Sequence, residues 1–167
     1  MEVLLMTISL TTKERYLLED QKNHEALCIE KYNNYANLAQ DPQLKTLFSN
    51  HAKIEQEHYN SIQQLLNGQV PSMGGQQGGA TNQQMQPQTG NSFQPQANTT
   101  NFSTTDKDLC TDMLMTEKYV SGTYDTAIFE FKDTQVRDVL NHIQKEEQKH
   151  GEAIFKYMES KGMYQPQ

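Results

Sequence analysis

The sequence has few cysteines, no excess of basic residues and no long apolar run, and each shortage excludes a class of protein. Its 167 residues include 14 lysines and arginines against 21 aspartates and glutamates, for a formal net charge of −7. Phosphate groups are bound by clustered lysine and arginine side chains, so a nucleic-acid or anionic-membrane surface is not expected. No stretch approaches the roughly 20 apolar residues that a membrane span needs.

The N-terminal segment and the two cysteines carry no targeting or redox signature. Residues 1–10 are mildly apolar but lack the basic start, the long apolar core and the cleavage site of a secretory signal. Cys28 and Cys110 form no Cys-x-x-Cys pair, which predicts two buried thiols rather than a zinc site or a disulfide framework. Both are consistent with synthesis in a reducing compartment.

A polar segment, residues 69–103, divides the chain. It is rich in Gln, Gly, Asn, Pro and Thr and almost free of charge, so it cannot bury enough apolar surface to offset its conformational entropy. It predicts a linker, with contact to neighbouring molecules as the alternative role. The expected organisation is an N-terminal extension (1–10), a first helical hairpin (11–68), the linker (69–103) and a second hairpin (104–162), with both hairpins in one bundle.

Four helices are predicted, two on each side of the linker. Apolar residues recur at steps of three and four over about 12–40, 42–67, 104–131 and 134–161, with stop signals at Asn67-Gly68 and Lys161-Gly162. Thr11 to Glu14 form a capping-box candidate, and Asp41 and Asp133 are candidate N-caps directly after short turns. The pattern predicts an all-α four-helix bundle. The long linker favours an up-down-down-up crossover, and up-down-up-down stays open.

The chain repeats itself at an offset of 92 residues. Twelve of 57 aligned positions are identical, and a third of the matches fall on candidate ligands or on a tyrosine seven residues after one of them. The repeated pattern is a lone Glu followed by a Glu-x-x-His, and it comprises Glu25, Glu55, His58, Glu117, Glu147 and His150. All six occupy positions that should face the core, at matched heights about the two short turns.

Four ionised carboxylates in a low-dielectric interior would repel one another and lose hydration, so without cations some must be protonated. Two divalent or trivalent metal ions remove that conflict. A carboxylate-rich site with two imidazoles favours iron or manganese over zinc. A former metal site now held by protonated carboxyl groups is the alternative.

The series Glu, Glu-x-x-His, Glu, Glu-x-x-His resembles the ferritin-like di-iron and di-manganese superfamily. Within it, DKDLCTDMLMTEKYVSGTYDTAIFEF and VRDVLNHIQKEEQKHGEAIFKYM resemble the coat F domain of bacterial spore coat proteins. The resemblance implies terminal ligands at Glu25 and Glu117, bridging ligands at Glu55 and Glu147, and one imidazole per metal. It also implies synthesis in the mother-cell cytoplasm, deposition in the spore coat and other coat proteins as partners, and it leaves a homo-oligomer open.

Three functions remain open at this stage: a structural coat component, a redox enzyme acting on peroxide, oxygen or ferrous iron, and a metal buffer. Tyr32 and Tyr124, seven residues after the lone glutamates, are expected to pack in the core with a hydroxyl partner. Bonding to a ligand or electron transfer is the alternative role. His51, whose repeat partner is Ile143, is expected to be an ordinary core histidine with satisfied nitrogens.

Overall fold

The computed structural model describes residues 7–72 and 103–167, and these ranges form four α-helices and no strand. In chain order the helices are α1 (Thr12–Leu38), α2 (Pro42–Leu66), α3 (Thr104–Glu130) and α4 (Thr134–Ser160). Helices α1 and α2 pack as one hairpin, and α3 and α4 pack as the other. The predicted all-α four-helix bundle is confirmed, with helix ends within two residues of those expected.

Each helix begins at a polar N-cap whose side chain accepts a hydrogen bond from the first turn. Thr11 and Glu14 form the predicted capping box, and Asp41 caps α2 directly before Pro42. These bonds satisfy backbone N–H groups that have no partner within the helix. The four N-caps are Thr11, Asp41, Ser103 and Asp133.

The end of α2 is closed by Gly68, which has a φ of 79°. This left-handed conformation is open to glycine because no Cβ meets the backbone. A Cβ there would also lie 3.3 Å from the Ile8 carbonyl oxygen. The N-terminal segment therefore packs closely against this turn, where Ile8 N donates to Gly68 O at 2.9 Å and Thr7 pairs with Gln69.

Helix α1 is antiparallel to both α2 and α3. At its start, Arg15 donates to the carbonyl of Leu66 at the end of α2, at 3.2 Å. Nearby, Lys13 pairs with Glu130 at the end of α3, at 2.7 Å. Helices α2 and α3 are consequently parallel, and α2 ends at the opposite end of the bundle from the start of α3. The arrangement is up-down-down-up, the preferred one of the two topologies that the sequence left open.

Two buried carboxylates join the hairpins at opposite ends of the bundle. Glu14 in α1 accepts from the backbone N–H of Lys132 in the turn before α4, at 3.1 Å. Asp106 in α3 accepts from the N–H groups of Gln40 and Asp41 in the turn before α2, at 2.8 and 3.0 Å. Glu14 and Asp106 are 92 residues apart, so the repeat extends to the contacts between the hairpins.

Two apolar clusters fill the bundle, one toward each end. The first cluster includes Leu18, Ile62, Tyr124 and Ile143. The second includes Tyr32, Phe48, Met113 and Ile154. Cys28 and Cys110 are buried free thiols in the first and second clusters, as predicted.

Two of the predicted segments lie partly beyond the described ranges. The linker falls mostly within residues 73–102 and the N-terminal extension partly within residues 1–6, so the division of the chain into these segments stays a prediction. Among the helices in the described ranges, none is long and apolar enough to cross a membrane.

Candidate metal centre

The six predicted ligands meet in the middle of the bundle, between the two apolar clusters. Each helix contributes from its inward side, and none of the six side chains belongs to a residue more than 4% exposed. Helices α1 and α3 each provide one glutamate, and α2 and α4 each provide a Glu-x-x-His. They are Glu25, Glu55, His58, Glu117, Glu147 and His150.

These side chains form two overlapping groups, each of a size that suits one metal ion. One group consists of Glu25 and His58 together with the glutamates of α2 and α4. The other consists of Glu117 and His150 together with the same two glutamates. Within each group, one ligand atom per residue lies within 4.8 Å of every other. Glu55 and Glu147 belong to both groups. The geometry therefore places these two carboxylates between the two candidate metal positions, with Glu25 and Glu117 on the outside.

Both imidazoles direct Nδ1 toward the carboxylates. His58 Nδ1 lies 3.0 Å from Glu55 Oε2 and 3.2 Å from Glu147 Oε1. His150 Nδ1 lies 3.0 Å from Glu55 Oε1 and 3.4 Å from Glu117 Oε1. Each histidine thus contacts one carboxylate of its own hairpin and one of the opposite hairpin, and the hairpins meet through these groups.

The outer glutamates are each held by a tyrosine from the opposite hairpin. The Tyr124 hydroxyl donates to Glu25 Oε1, and the Tyr32 hydroxyl donates to Glu117 Oε1. Both tyrosines are completely buried, and the two bonds are equivalent under the repeat. Tyr32 and Tyr124 therefore pack in the core and also orient the outer carboxylates, so the structure combines two roles that the sequence presented as alternatives.

Burial and mutual repulsion raise the pKa of the outer carboxyl groups. Burial, followed by the charge of Glu147, raises the pKa of Glu117 to about 7. The same two causes raise the pKa of Glu25 well above its ordinary value. Both groups therefore hold protons more tightly than ordinary glutamates do.

Hydrogen bonding lowers the pKa of the central carboxyl groups and raises that of the two imidazoles. Burial alone would raise the pKa of Glu55, but hydrogen bonds from His150 and His58 lower it. Burial would likewise raise the pKa of Glu147, and hydrogen bonds with Glu117 and the two histidines lower it. Burial disfavours charge on His58 and His150 as well, but hydrogen bonds to the surrounding carboxylates raise the pKa of each.

The donor set fits two divalent cations. With two ionised glutamates, two protonated glutamates and two imidazolium groups, the centre is neutral only because it holds four protons. With all six ligands deprotonated, the centre carries four negative charges, which two divalent ions balance. Within the described ranges, Glu25 Oε2, Glu117 Oε2 and Glu147 Oε2 are buried and receive no hydrogen bond. A buried carboxylate oxygen in that position requires a proton or a cation.

The second hairpin is similar to a known family. A family model described as Coat F domain matches residues 105–167. The matched segment includes nearly all of α3 and all of α4, and so it holds Glu117, Glu147 and His150. The first hairpin, which supplies the other three candidate ligands, lies outside the matched residues.

The fold of the whole bundle is ferritin-like. A solved structure from Anabaena variabilis, a two-domain protein with DJ-1/ThiJ/PfpI-like and ferritin-like domains, matches 95% of this chain with a TM-score of 0.67. The two chains are 15% identical, and the match covers 40% of that protein's chain. No curated protein matches the sequence. The helical arrangement is thus similar to a ferritin-like fold, and the residues that the Coat F model matches form its second half.

The expectation for His51 was wrong in one respect. The residue is buried in the core, with 5% of its surface exposed, but its Nδ1 has no hydrogen-bond partner in the part of the chain described. Its ring stacks on that of His150, with centroids 4.1 Å apart. One feature of the sequence indicated that His51 is unusual. The repeat places isoleucine, whose side chain has no polar atoms, at the equivalent position 143.

Proposed function

We propose that this protein is a component of the bacterial spore coat whose bundle holds two metal ions, iron or manganese. The ligands are Glu25, Glu55, His58, Glu117, Glu147 and His150. The protein is synthesised in the mother-cell cytoplasm and assembles with other coat proteins. The Coat F domain at residues 105–167 is the observation that carries the coat assignment.

The shared, buried carboxylate cluster supports the metal assignment. Tyrosine hydroxyls orient the outer ligands Glu25 and Glu117. The carboxylates of Glu55 and Glu147 belong to both groups, so each could bind both ions. Iron or manganese bound there would supply redox chemistry with oxygen or peroxide. A ligand that binds only the folded protein adds to its stability by mass action, which suits a durable coat.

Exposed apolar side chains support assembly with partners. In the described ranges, large hydrophobic side chains that are exposed lie mainly on α1 and α3, away from the core. Phe129 is 78% exposed, and Tyr16 and Tyr119 are about two-thirds exposed. Where such side chains form one contiguous patch, they mark a surface that contacts other proteins. Another coat protein is the partner that the Coat F domain favours.

Metal content tests the centre directly. We expect two iron or manganese ions per chain in the native protein and loss of both in a Glu55→Gln/Glu147→Gln double variant. The matched control is Glu57→Gln, two residues along α2 on its exposed side, which should keep both ions. Circular dichroism confirms that each variant is helical. A native protein without stoichiometric metal contradicts the metal assignment.

A redox enzyme is the second candidate, because six protein ligands shared by two ions leave coordination positions free for a small oxidant. Consumption of peroxide or oxygen by the metal-loaded protein, abolished in the double variant, would favour it. Bound metal without turnover would favour the structural role.

Coat incorporation tests the location. A fluorescent fusion is expected to collect at the coat of the developing spore, and diffuse fluorescence in the mother cell would contradict the assignment. Replacing residues 73–102 by a Gly/Ser segment of equal length tests whether the linker also contacts partners. Unchanged incorporation would count against such a contact.

A further inference from the structure

His51 is a buried position beside the metal centre where the repeat changes chemical character from apolar to polar. Its equivalent, Ile143, lies in the first apolar cluster, on the opposite side of the centre, and is 1% exposed. The bundle therefore accommodates a fully apolar side chain at the equivalent position of the second hairpin. The imidazole of His51 has buried polar atoms that need partners, which an apolar side chain would not have.

The contacts of His51 hold its ring beside one metal position only. The ring is stacked on His150, with an interplanar angle of 23° and a centroid distance of 4.1 Å. The edge of Tyr32 lies against it, with centroids 5.1 Å apart and planes at 86°. Tyr32 in turn donates to Glu117, so both rings that contact His51 belong to the Glu117 and His150 half of the centre.

The polar atoms on this side are incompletely satisfied. In the ranges that the structure describes, His51 Nδ1, His150 Nε2 and Glu117 Oε2 are buried without hydrogen-bond partners. The opposite half has the corresponding unsatisfied atoms on His58 and Glu25 but no third imidazole, because Ile143 stands in its place. The two metal positions are thus unequal in one respect, which is the nitrogen donor or acceptor supplied by His51.

We infer that His51 creates a binding site for one small anion on the Glu117 and His150 side of the metal centre. The inference rests on the proposed metal function, since an anion enters this carboxylate-rich interior only as a ligand of a cation. A metal ion there would supply the charge, and the His51 imidazole would supply a hydrogen bond that the other side lacks. Anion binding is consequently restricted to one of the two positions.

Azide titration of the cobalt(II)-loaded protein tests this by visible absorption. We expect one azide per chain to bind tightly to the native protein, which carries two cobalt ions. His51→Phe keeps an aromatic ring for stacking but has no nitrogen, and it should weaken azide binding about 10-fold or more. His51→Gln loses the ring but keeps hydrogen-bonding groups, and it should bind azide within about threefold of the native protein.

Metal content, measured on each sample, separates the two proposals. A native protein that takes up no cobalt, iron or manganese overturns the metal function and this inference with it. Two bound ions with native azide affinity in His51→Phe overturn this inference alone. So does a loss confined to His51→Gln, which would show that His51 acts by ring packing, and so does the absence of azide binding by the loaded native protein.

Discussion

Tyr32 and Tyr124 show how single side chains define the outer boundary of the centre. Each phenol reaches across from one hairpin to a glutamate of the other, and each is surrounded by the apolar residues of one cluster. Burial raises the pKa of both phenols well above the ordinary value, as do the nearby carboxylate charges. The hydroxyl groups therefore remain donors at neutral pH and fix the orientation of Glu25 and Glu117.

Replacement of Tyr124 by Phe should weaken metal binding without unfolding the bundle. The variant leaves Glu25 without its hydrogen-bond donor, which we expect to lower metal affinity about 10-fold or more and stability by about 1–3 kcal/mol. Competition with a chelator measures the affinity. Tyr16→Phe, at an exposed position of α1, is the control and should match the native protein. Equal affinities in all three proteins would contradict the orienting role.

Among the helices, the buried carboxylates of Glu14 and Asp106 connect the start of one helix to the short turn of the opposite hairpin. Each lies in the first turn of its helix and accepts N–H groups from the turn of the opposite hairpin. The turns before α2 and α4 are thereby fixed to the neighbouring helix. Their positions in turn set the heights at which the four ligand-bearing helices meet.

Asp106→Ala is expected to destabilise the bundle by about 1–3 kcal/mol, because it leaves the backbone N–H groups of Gln40 and Asp41 without their acceptor. Chemical denaturation of the metal-free protein measures the loss. Asp108→Ala, two residues later on the exposed side of α3, should change stability by no more than about 0.5 kcal/mol. Equal effects of the two substitutions would show that Asp106 does not join the hairpins.

The cap of α2 gives the fold a dependence on acid. Burial alone would raise the pKa of Asp41, but the Tyr157 hydroxyl, the Gln43 N–H and the Lys161 ammonium group lower it below its ordinary 3.8. Because the folded pKa is the lower one, the stabilisation is complete above the pKa of the unfolded chain. It is lost as the pH falls through the folded pKa.

Asp41→Asn should therefore be less stable than the native protein at neutral pH, with a difference that shrinks as the pH falls from about 5 through the lowered pKa of Asp41. Thermal unfolding across this range provides the measurement, and Asp138→Asn on the exposed side of α4 is the control. A difference that stays constant with pH would mean that the charge of Asp41 contributes nothing to the cap.

At the scale of the whole molecule, the parallel course of α2 and α3 requires the chain to return from one end of the bundle to the other between residues 72 and 103. A helix of 27 residues such as α3 is about 40 Å long. The return distance is thus set by the helices that carry the ligands.

Shortening residues 73–102 to six residues should prevent the two hairpins of one chain from pairing. Six residues and their flanking bonds span at most about 25 Å, which is less than the length of the bundle. We expect the hairpins to exchange between chains, so that light scattering reports a doubled mass while helicity is retained. An unchanged mass with the same thermal stability would contradict the up-down-down-up topology.

The sequence alone predicted the four helices, the N-caps of α1, α2 and α4, and the six residues that meet at the centre. Helical periodicity and the 92-residue repeat are local properties, and two short turns fix which helices form hairpins. The Coat F resemblance also rested on residues alone, and the match at residues 105–167 agrees with it.

The way in which the two hairpins face one another became visible in the folded structure. The antiparallel pairing of α1 with α3, the tyrosine contacts to the outer glutamates and the carboxylates of Glu14 and Asp106 all join residues more than 60 positions apart. Periodicity shows which side of a helix is buried but not which neighbour it meets. For the same reason, the unsatisfied nitrogen of His51 became visible only when its surroundings were assembled.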